Sequence, residues 1–138
     1  MSTEGASHRC SVLIIDNDLE VVDLLRTALT PDGYLVANVA NGREAMDYLR
    51  SHAETCIILF ELQLPVMDGA HFRAAQLRDR SLAWIPALAM SATLDASRKA
   101  RELGARRFLP KPLDLDEVRG ALRQIGCCLA RPRTHAGS

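Results

Sequence analysis

Cys56-Ile57-Ile58-Leu59-Phe60-Glu61-Leu62-Gln63-Leu64-Pro65-Val66-Met67-Asp68-Gly69 is the stretch that decides the fold. It opens on an uninterrupted apolar run, Cys56 to Phe60. A run so short, partly β-branched and bounded by polar and proline signals predicts a strand buried on both faces. The run ends on a carboxylate, Glu61. A loop containing Pro65 follows, and Asp68-Gly69 opens the next helix. One acid is therefore delivered to the edge of a central parallel strand, and the rest of the chain decides what surrounds it.

Working outward, Val12-Leu13-Ile14-Ile15 is a second buried-strand run, followed at once by Asp16-Asn17-Asp18. Asp18 is expected to cap a helix whose apolar face is Val21, Leu24, Leu25, Ala28 and Leu29. Pro31-Asp32-Gly33 breaks that helix. Tyr34 to Val39 reads as a strand. Asn41 with Glu44 three residues later resembles a capping box and starts a helix bearing Ala45, Met46 and Leu49, ending near His52. Beyond Asp68, Phe72 with Ala75 or Leu77 supports a third helix, with a weaker pattern. Ile85 to Met90 is a fourth strand, with Pro86 at its start, where a missing donor is tolerated. It leads into Ser91-Ala92-Thr93. Asp95 to Leu103 reads as a helix closed by Gly104. Arg107-Phe108-Leu109 is a short strand ending at Pro110-Lys111-Pro112. Asp114 and Glu117 start a last helix with the stripe Leu115, Val118, Leu122 and Ile125.

Strand and helix alternate through five units. That order predicts an α/β fold, a single doubly wound parallel sheet of five strands with helices on both faces. Sites in such sheets form at the carboxyl ends of the strands. There the chain places Asp16 and Asn17 after the first strand, Glu61 after the third, Ser91 after the fourth and Lys111 after the fifth. Two carboxylates, an amide, a hydroxyl and an ammonium are thus expected along one edge.

The 138 residues suit one domain, and 48% hydrophobic with 25% charged residues is ordinary for a globular protein. The expected organisation is a flexible lead-in over residues 1–10, the domain over 11–126 and a short basic tail over 127–138. A formal net charge of zero gives no mark of a nucleic-acid or membrane-surface binder. No apolar run approaches the roughly 20 residues of a membrane span, and no signal peptide is evident, so the cytoplasm is the expected compartment. Cys10, Cys56, Cys127 and Cys128 lack CxxC spacing and are expected to be reduced thiols acting as small apolar side chains. His8, His52, His71 and His135 show no metal-ligand spacing and are expected at the surface.

The arrangement resembles the receiver domain of bacterial two-component response regulators. The resemblance runs from about Ser11 to Ile125. It is carried by Val12-Leu13-Ile14-Ile15-Asp16, Leu64-Pro65-Val66-Met67-Asp68-Gly69, Ser91-Ala92 and Phe108-Leu109-Pro110-Lys111-Pro112. It implies a flavodoxin-like sheet in the order 2-1-3-4-5. It also implies phosphoryl transfer from a histidine kinase to an aspartate at the end of strand three, with Mg²⁺ nearby. On that resemblance Asp16 is the first of an acidic pair that holds the metal, and the Gln63 backbone carbonyl reaches it. Ser91 and Lys111 are phosphoryl-pocket residues. Lys111-Pro112 matches a peptide bond that is usually cis, and Phe108, with Pro112, belongs to the switch.

Two positions depart. Asn17 replaces the second acid of the pair, and Glu61 stands where the family has its phosphoacceptor aspartate. Asn17 removes a full charge from a site for a hard, octahedral cation, so Mg²⁺ binding is expected to be weak or lost. Glu61 carries its carboxylate about 1.5 Å further out, one C–C bond. Phosphoryl transfer depends on position and charge neutralisation. Glu61 is therefore expected to hold a conformation, either imitating the phosphorylated state or locking an inactive one through an ion pair with Lys111.

The expected function is a phosphorylation-independent interaction module in signal transduction, with no cofactor and no enzymatic turnover. Its partner would be a histidine kinase, a downstream effector or a second copy. The surface would be helix four, strand five and helix five, about Ala96 to Ile125. No effector domain is expected within the residues after Ile125, so output is expected to act through a partner, a second copy or a further domain outside this sequence. The alternative is a working phosphoacceptor in a phosphorelay. An engineered Asp-to-Glu exchange is another source of residue 61, but it leaves Asn17 unaccounted for.

Overall fold

The computed structural model describes residues 9–128. The elements run β1 (Ser11–Ile15), α1 (Leu19–Leu29), β2 (Leu35–Val39), α2 (Gly42–Ser51), β3 (Ile57–Glu61), α3 (Gly69–Arg78), β4 (Ala87–Ser91), α4 (Ala96–Glu102), β5 (Phe108–Pro110) and α5 (Leu115–Ile125). All neighbouring strands are parallel, in the order β2-β1-β3-β4-β5. The predicted doubly wound, flavodoxin-like sheet is the observed one.

The double winding is visible in the strands. Successive side chains point to opposite faces. Val12, Ile14, Ile57, Leu59, Leu88 and Met90 join a core with Leu25 and Leu29 of α1 and Val118, Leu122 and Ile125 of α5. Leu13, Ile15, Ile58, Phe60, Ala87 and Ala89 face Ala45, Met46 and Leu49 of α2, Phe72 of α3 and Ala96 and Ala100 of α4. β3 and β4 are buried at every position, which is why their sequences are continuously apolar rather than alternating.

Local chemistry starts the helices as expected. Asp18 accepts from the N–H groups of Glu20 and Val21, and Asp114 from those of Asp116 and Glu117. Asn41 Oδ1 accepts from Glu44 N at 2.9 Å, while Glu44 Oε1 returns to Ala40 N at 2.9 Å, one residue short of a strict capping box. The α1 face differs from the expected one. Val22 is buried in place of Val21, and Leu24 is 42% exposed. The stripe centres on Leu25, so Leu24 rotates off the sheet.

The weak pattern of α3 has a physical source. Arg73 and Gln76 are buried beside Phe72, whereas Leu77 is exposed. Arg73 donates to the carbonyls of Leu103 and Gly104 and to Gln76 Oε1. Gln76 donates to the carbonyls of Leu82 and Ile85. Burial lowers the Arg73 pKa below its ordinary value. A helix that buries a bonded polar pair hides from hydrophobic periodicity.

The cysteines correct the sequence expectation. Cys56 is joined to Cys128 in a disulfide, with a Cα–Cα distance of 5.1 Å inside the range such a bond needs. Sequence spacing does not reveal the pair, because 72 residues separate them. Cys10 and Cys128, assigned by sequence to the lead-in and the tail, both pack against the α1/α5 core. Residues 1–8 and 129–138 of the expected flanks, with His8 and His135, lie outside the described residues. His71 is exposed as expected, while His52 is half-buried, stacked on Tyr48 with ring centroids 4.0 Å apart.

The loop from β3 to α3 is the tightest passage. A Cβ on Gly69 would lie 2.6 Å from the Glu61 carbonyl oxygen and 2.8 Å from Leu62 Cα. Both are backbone atoms and cannot swing away. Val66 holds φ at +66°, a region that disfavours β-branched residues, and its side chain is 80% exposed. Gly69→Ala is expected to destabilise the fold by about 1–3 kcal/mol in urea titrations. Val66→Gly is expected to stabilise it by about 0.5–1 kcal/mol, since no packing is lost.

Candidate functional site

The strand register assembles the site. Ile15 pairs with Phe60, so the residues that follow, Asp16 and Glu61, leave adjacent strands side by side. Ser91 pairs with Pro110, which places Lys111 one step beyond the end of β4. The Lys111 backbone N–H donates to the Ser91 carbonyl at 2.9 Å. The Lys111–Pro112 peptide is cis, as the resemblance implied.

The Lys111 ammonium lies between the two acids. Its Nζ is 2.7 Å from Asp16 Oδ2 and 2.6 Å from Glu61 Oε1. All three side chains are largely shielded, at 13% exposure for Lys111, 1% for Asp16 and 9% for Glu61. The remaining oxygens are engaged as well. Asp16 Oδ1 accepts from Asp18 N at 3.0 Å, and Glu61 Oε2 accepts from Gln63 N at 3.0 Å. Burial works against the ammonium charge, but the hydrogen bonds and charges of Asp16 and Glu61 outweigh it and raise the Lys111 pKa above its ordinary value.

Ser91 is buried at the end of β4. Its Oγ lies 3.1 Å from Thr93 Oγ1 and accepts from Thr93 N at 3.2 Å. Thr93, read from sequence only as a residue that follows the fourth strand, thus joins the site. Its signal was the spacing of two hydroxyl residues across a turn after a strand. Asn17 and Gln63 are exposed and, with Thr93, line an open cleft of about 710 Å³ above the buried ion triad. Asp68, Asp95 and Lys99 reach the same cleft. Asp68 caps α3 through His71 N at 2.9 Å and pairs with His71 Nδ1 at 2.8 Å. The His71 backbone bond, above all, holds the Asp68 carboxyl below its usual range.

Phe108 sits on β5 opposite Ala89 and packs half-buried against the α2/α3/α4 core. Pro112 is exposed on the far side of the cis bond. Asp16, Glu61, Ser91 and Lys111 are therefore gathered within one strand edge, Asn17 and Gln63 stand at its rim, and Phe108 lies further along β5.

Comparison with known proteins agrees with this geometry. A family model described as the response regulator receiver domain matches residues 12–123. The chain is 29% identical over 114 residues to sporulation initiation phosphotransferase F of Bacillus subtilis, covering 82% of this chain and 90% of that protein. It is 32% identical over 116 residues to response regulator MprA of Mycolicibacterium vanbaalenii, covering 83% of this chain but 49% of that protein. Among solved structures, the signal receiver domain of a signal transduction histidine kinase from Syntrophus aciditrophicus superposes with a TM-score of 0.80 at 24% identity, covering 91% of this chain and 96% of that one. Chemotaxis response regulator CheY4 of Vibrio cholerae does so with 0.77 at 23% identity, covering 86% and 99%. With its sheet order, its strand-end acids and lysine and a family match across nearly all the described residues, the chain belongs to the response regulator receiver domain family.

Proposed function

We propose that this receiver domain works in two-component signal transduction as an interaction module held by an internal ion triad, without phosphoryl uptake at Glu61. The observation that carries this reading is the Lys111 ammonium bridging Asp16 and Glu61 at 2.7 and 2.6 Å. Both Glu61 oxygens are occupied, one by Lys111 and the other by the Gln63 N–H. A nucleophilic carboxylate needs an oxygen aligned with the incoming phosphorus, and misplacement by an ångström is costly. Of the two roles open to Glu61, the geometry supports the lock. Its carboxylate turns to Lys111, while Ser91 Oγ turns to Thr93.

The donor set fits Mg²⁺ poorly. Two carboxylates share one ammonium, leaving a net charge of −1, and the third position offers the neutral amide of Asn17. An octahedral dication that sheds water reluctantly gains little from that set. No step of this function runs through a metal.

The docking surface we assign is α4, β5 and α5. Arg98, Lys99, Arg101, Glu102 and Arg106 are exposed there, and Arg107 donates to Gln124 Oε1 at 2.7 Å, tying β5 to α5. The partner is a signalling protein, a kinase or an effector, or a second copy meeting the same face. No helix among the described residues is long and apolar enough to cross a membrane.

Incubation with acetyl phosphate and Mg²⁺ tests the proposal by intact mass. The wild-type chain is expected to gain no phosphoryl mass, and the double variant Asn17→Asp/Glu61→Asp is expected to gain one. A phosphoryl group found on Glu61 of the wild type would overturn the reading.

The lock also has a pH signature. The raised Lys111 pKa means that its contribution is complete below the ordinary lysine value, about 10.4, and is lost only as pH rises through the higher folded-state value. Lys111→Met leaves Asp16 and Glu61 buried face to face. It is expected to lose about 3 kcal/mol at pH 8. Urea melts of the wild type and the variant at pH 8 check the loss, and melts of the wild type at rising alkaline pH check the trend.

A further inference from the structure

The end of the sheet opposite the ion triad carries a second cluster. Cys10 precedes β1, Cys56 precedes β3, and Cys127 and Cys128 follow α5. The Sγ atoms of Cys10, Cys56 and Cys127 all lie within 4.8 Å of one another. Cys128 is bonded to Cys56. Gly126 makes this convergence possible. Its φ of +78° suits a residue without Cβ and turns the chain back from α5 beneath the sheet. Cys10 Sγ reaches the Gly126 carbonyl at 4.0 Å, tying the start of β1 to that turn.

A crosslink needs two sulfurs, and here three from three separate segments, those of Cys10, Cys56 and Cys127, meet, with Cys128 bonded to one of them. We propose that the four cysteines form a tetrathiolate site for a soft d¹⁰ divalent cation of the zinc class, gated by the Cys56–Cys128 disulfide. A Zn–S bond of about 2.3 Å sets the edges of an S₄ tetrahedron near 3.8 Å. The Sγ atoms of Cys10, Cys56 and Cys127, within 4.8 Å of one another, are a side-chain rotation from that value, and Cys128 is held beside Cys56 by the bond that reduction opens. Cys56 is buried, and Cys10, Cys127 and Cys128 are half-exposed, so the cluster has both a dry wall and a path for an ion.

The gating step balances with a dithiol reductant. One of its thiolates attacks Cys128 Sγ, the more accessible sulfur, and the Cys56 thiolate leaves. The reductant's second thiol then displaces Cys128 and departs as its own disulfide. Two electrons thus pass to the protein. Zinc takes all four sulfurs as thiolates, and their protons go to solvent.

The test adds Zn²⁺ alone to the full chain with and without prior reduction, followed by desalting and native mass spectrometry. The reduced chain is expected to keep one zinc, and the oxidised chain none. Cys10→Ser and Cys127→Ser leave the disulfide intact and are each expected to weaken zinc binding at least tenfold after reduction. Zinc should raise the melting temperature of the reduced wild type and not of these variants. A reduced chain that retains no zinc, or retention unaffected by the double Cys10→Ser/Cys127→Ser variant, would overturn the site. Equal binding by the oxidised chain would overturn the gate.

Discussion

Two carboxylates leaving neighbouring strands at the same level, both shielded from water, repel one another unless a cation stands between them. Lys111 is that cation, and much of the upper sheet edge depends on it. β5 is only three residues long, and its end must sit beside β4 for Nζ to reach across to β1 and β3. The backbone bond from Lys111 to the Ser91 carbonyl fixes that placement. The ammonium in turn orients the two acids, and their second oxygens anchor the loops that follow, through Asp18 N and Gln63 N. A buried charge is tolerated only when it is paired and hydrogen-bonded, and here each member of the triad is.

The two positions read from sequence as departures, Glu61 and Asn17, sit differently around that cation. Glu61 has the length to meet Lys111 and still accept from Gln63 N. Asn17 stands outside the triad, exposed at the rim of the cleft, where a neutral side chain adds no further repulsion. On the function proposed above, the two residues lower the negative charge that a divalent ion would require and occupy the carboxylate that would have to attack. The opposite end of the sheet gathers the Sγ atoms of Cys10, Cys56 and Cys127, with Cys128 bonded to Cys56.

The course of the chain was legible where a signal is local. Continuous apolar runs at Val12–Ile15 and Cys56–Phe60 announced buried strands, and Ile85–Met90 announced a fourth strand. Asp18, Asn41, Asp68 and Asp114 announced helix starts through short side chains that satisfy their own neighbours' N–H groups. The candidate acids, hydroxyl and lysine followed, because a parallel sheet delivers whatever comes after each strand to one edge. Alternation along the strands could not say which face of α1 was central, so Leu24 was assigned inward although it lies outward. The bonded pair Arg73–Gln76 was invisible because its partners are carbonyls on distant loops.

Sequence by itself determined the alternation of elements, the parallel sheet and the identity of the groups at its edge. These rest on periodicity, capping and chain direction, all short-range properties. Tertiary structure alone decided how those groups are used. That Lys111 serves both acids, that Ser91 turns to Thr93, and that Cys56 meets Cys128 across 72 residues are matters of a few ångströms between remote segments. Such distances are set by packing of the whole core, which no local pattern encodes.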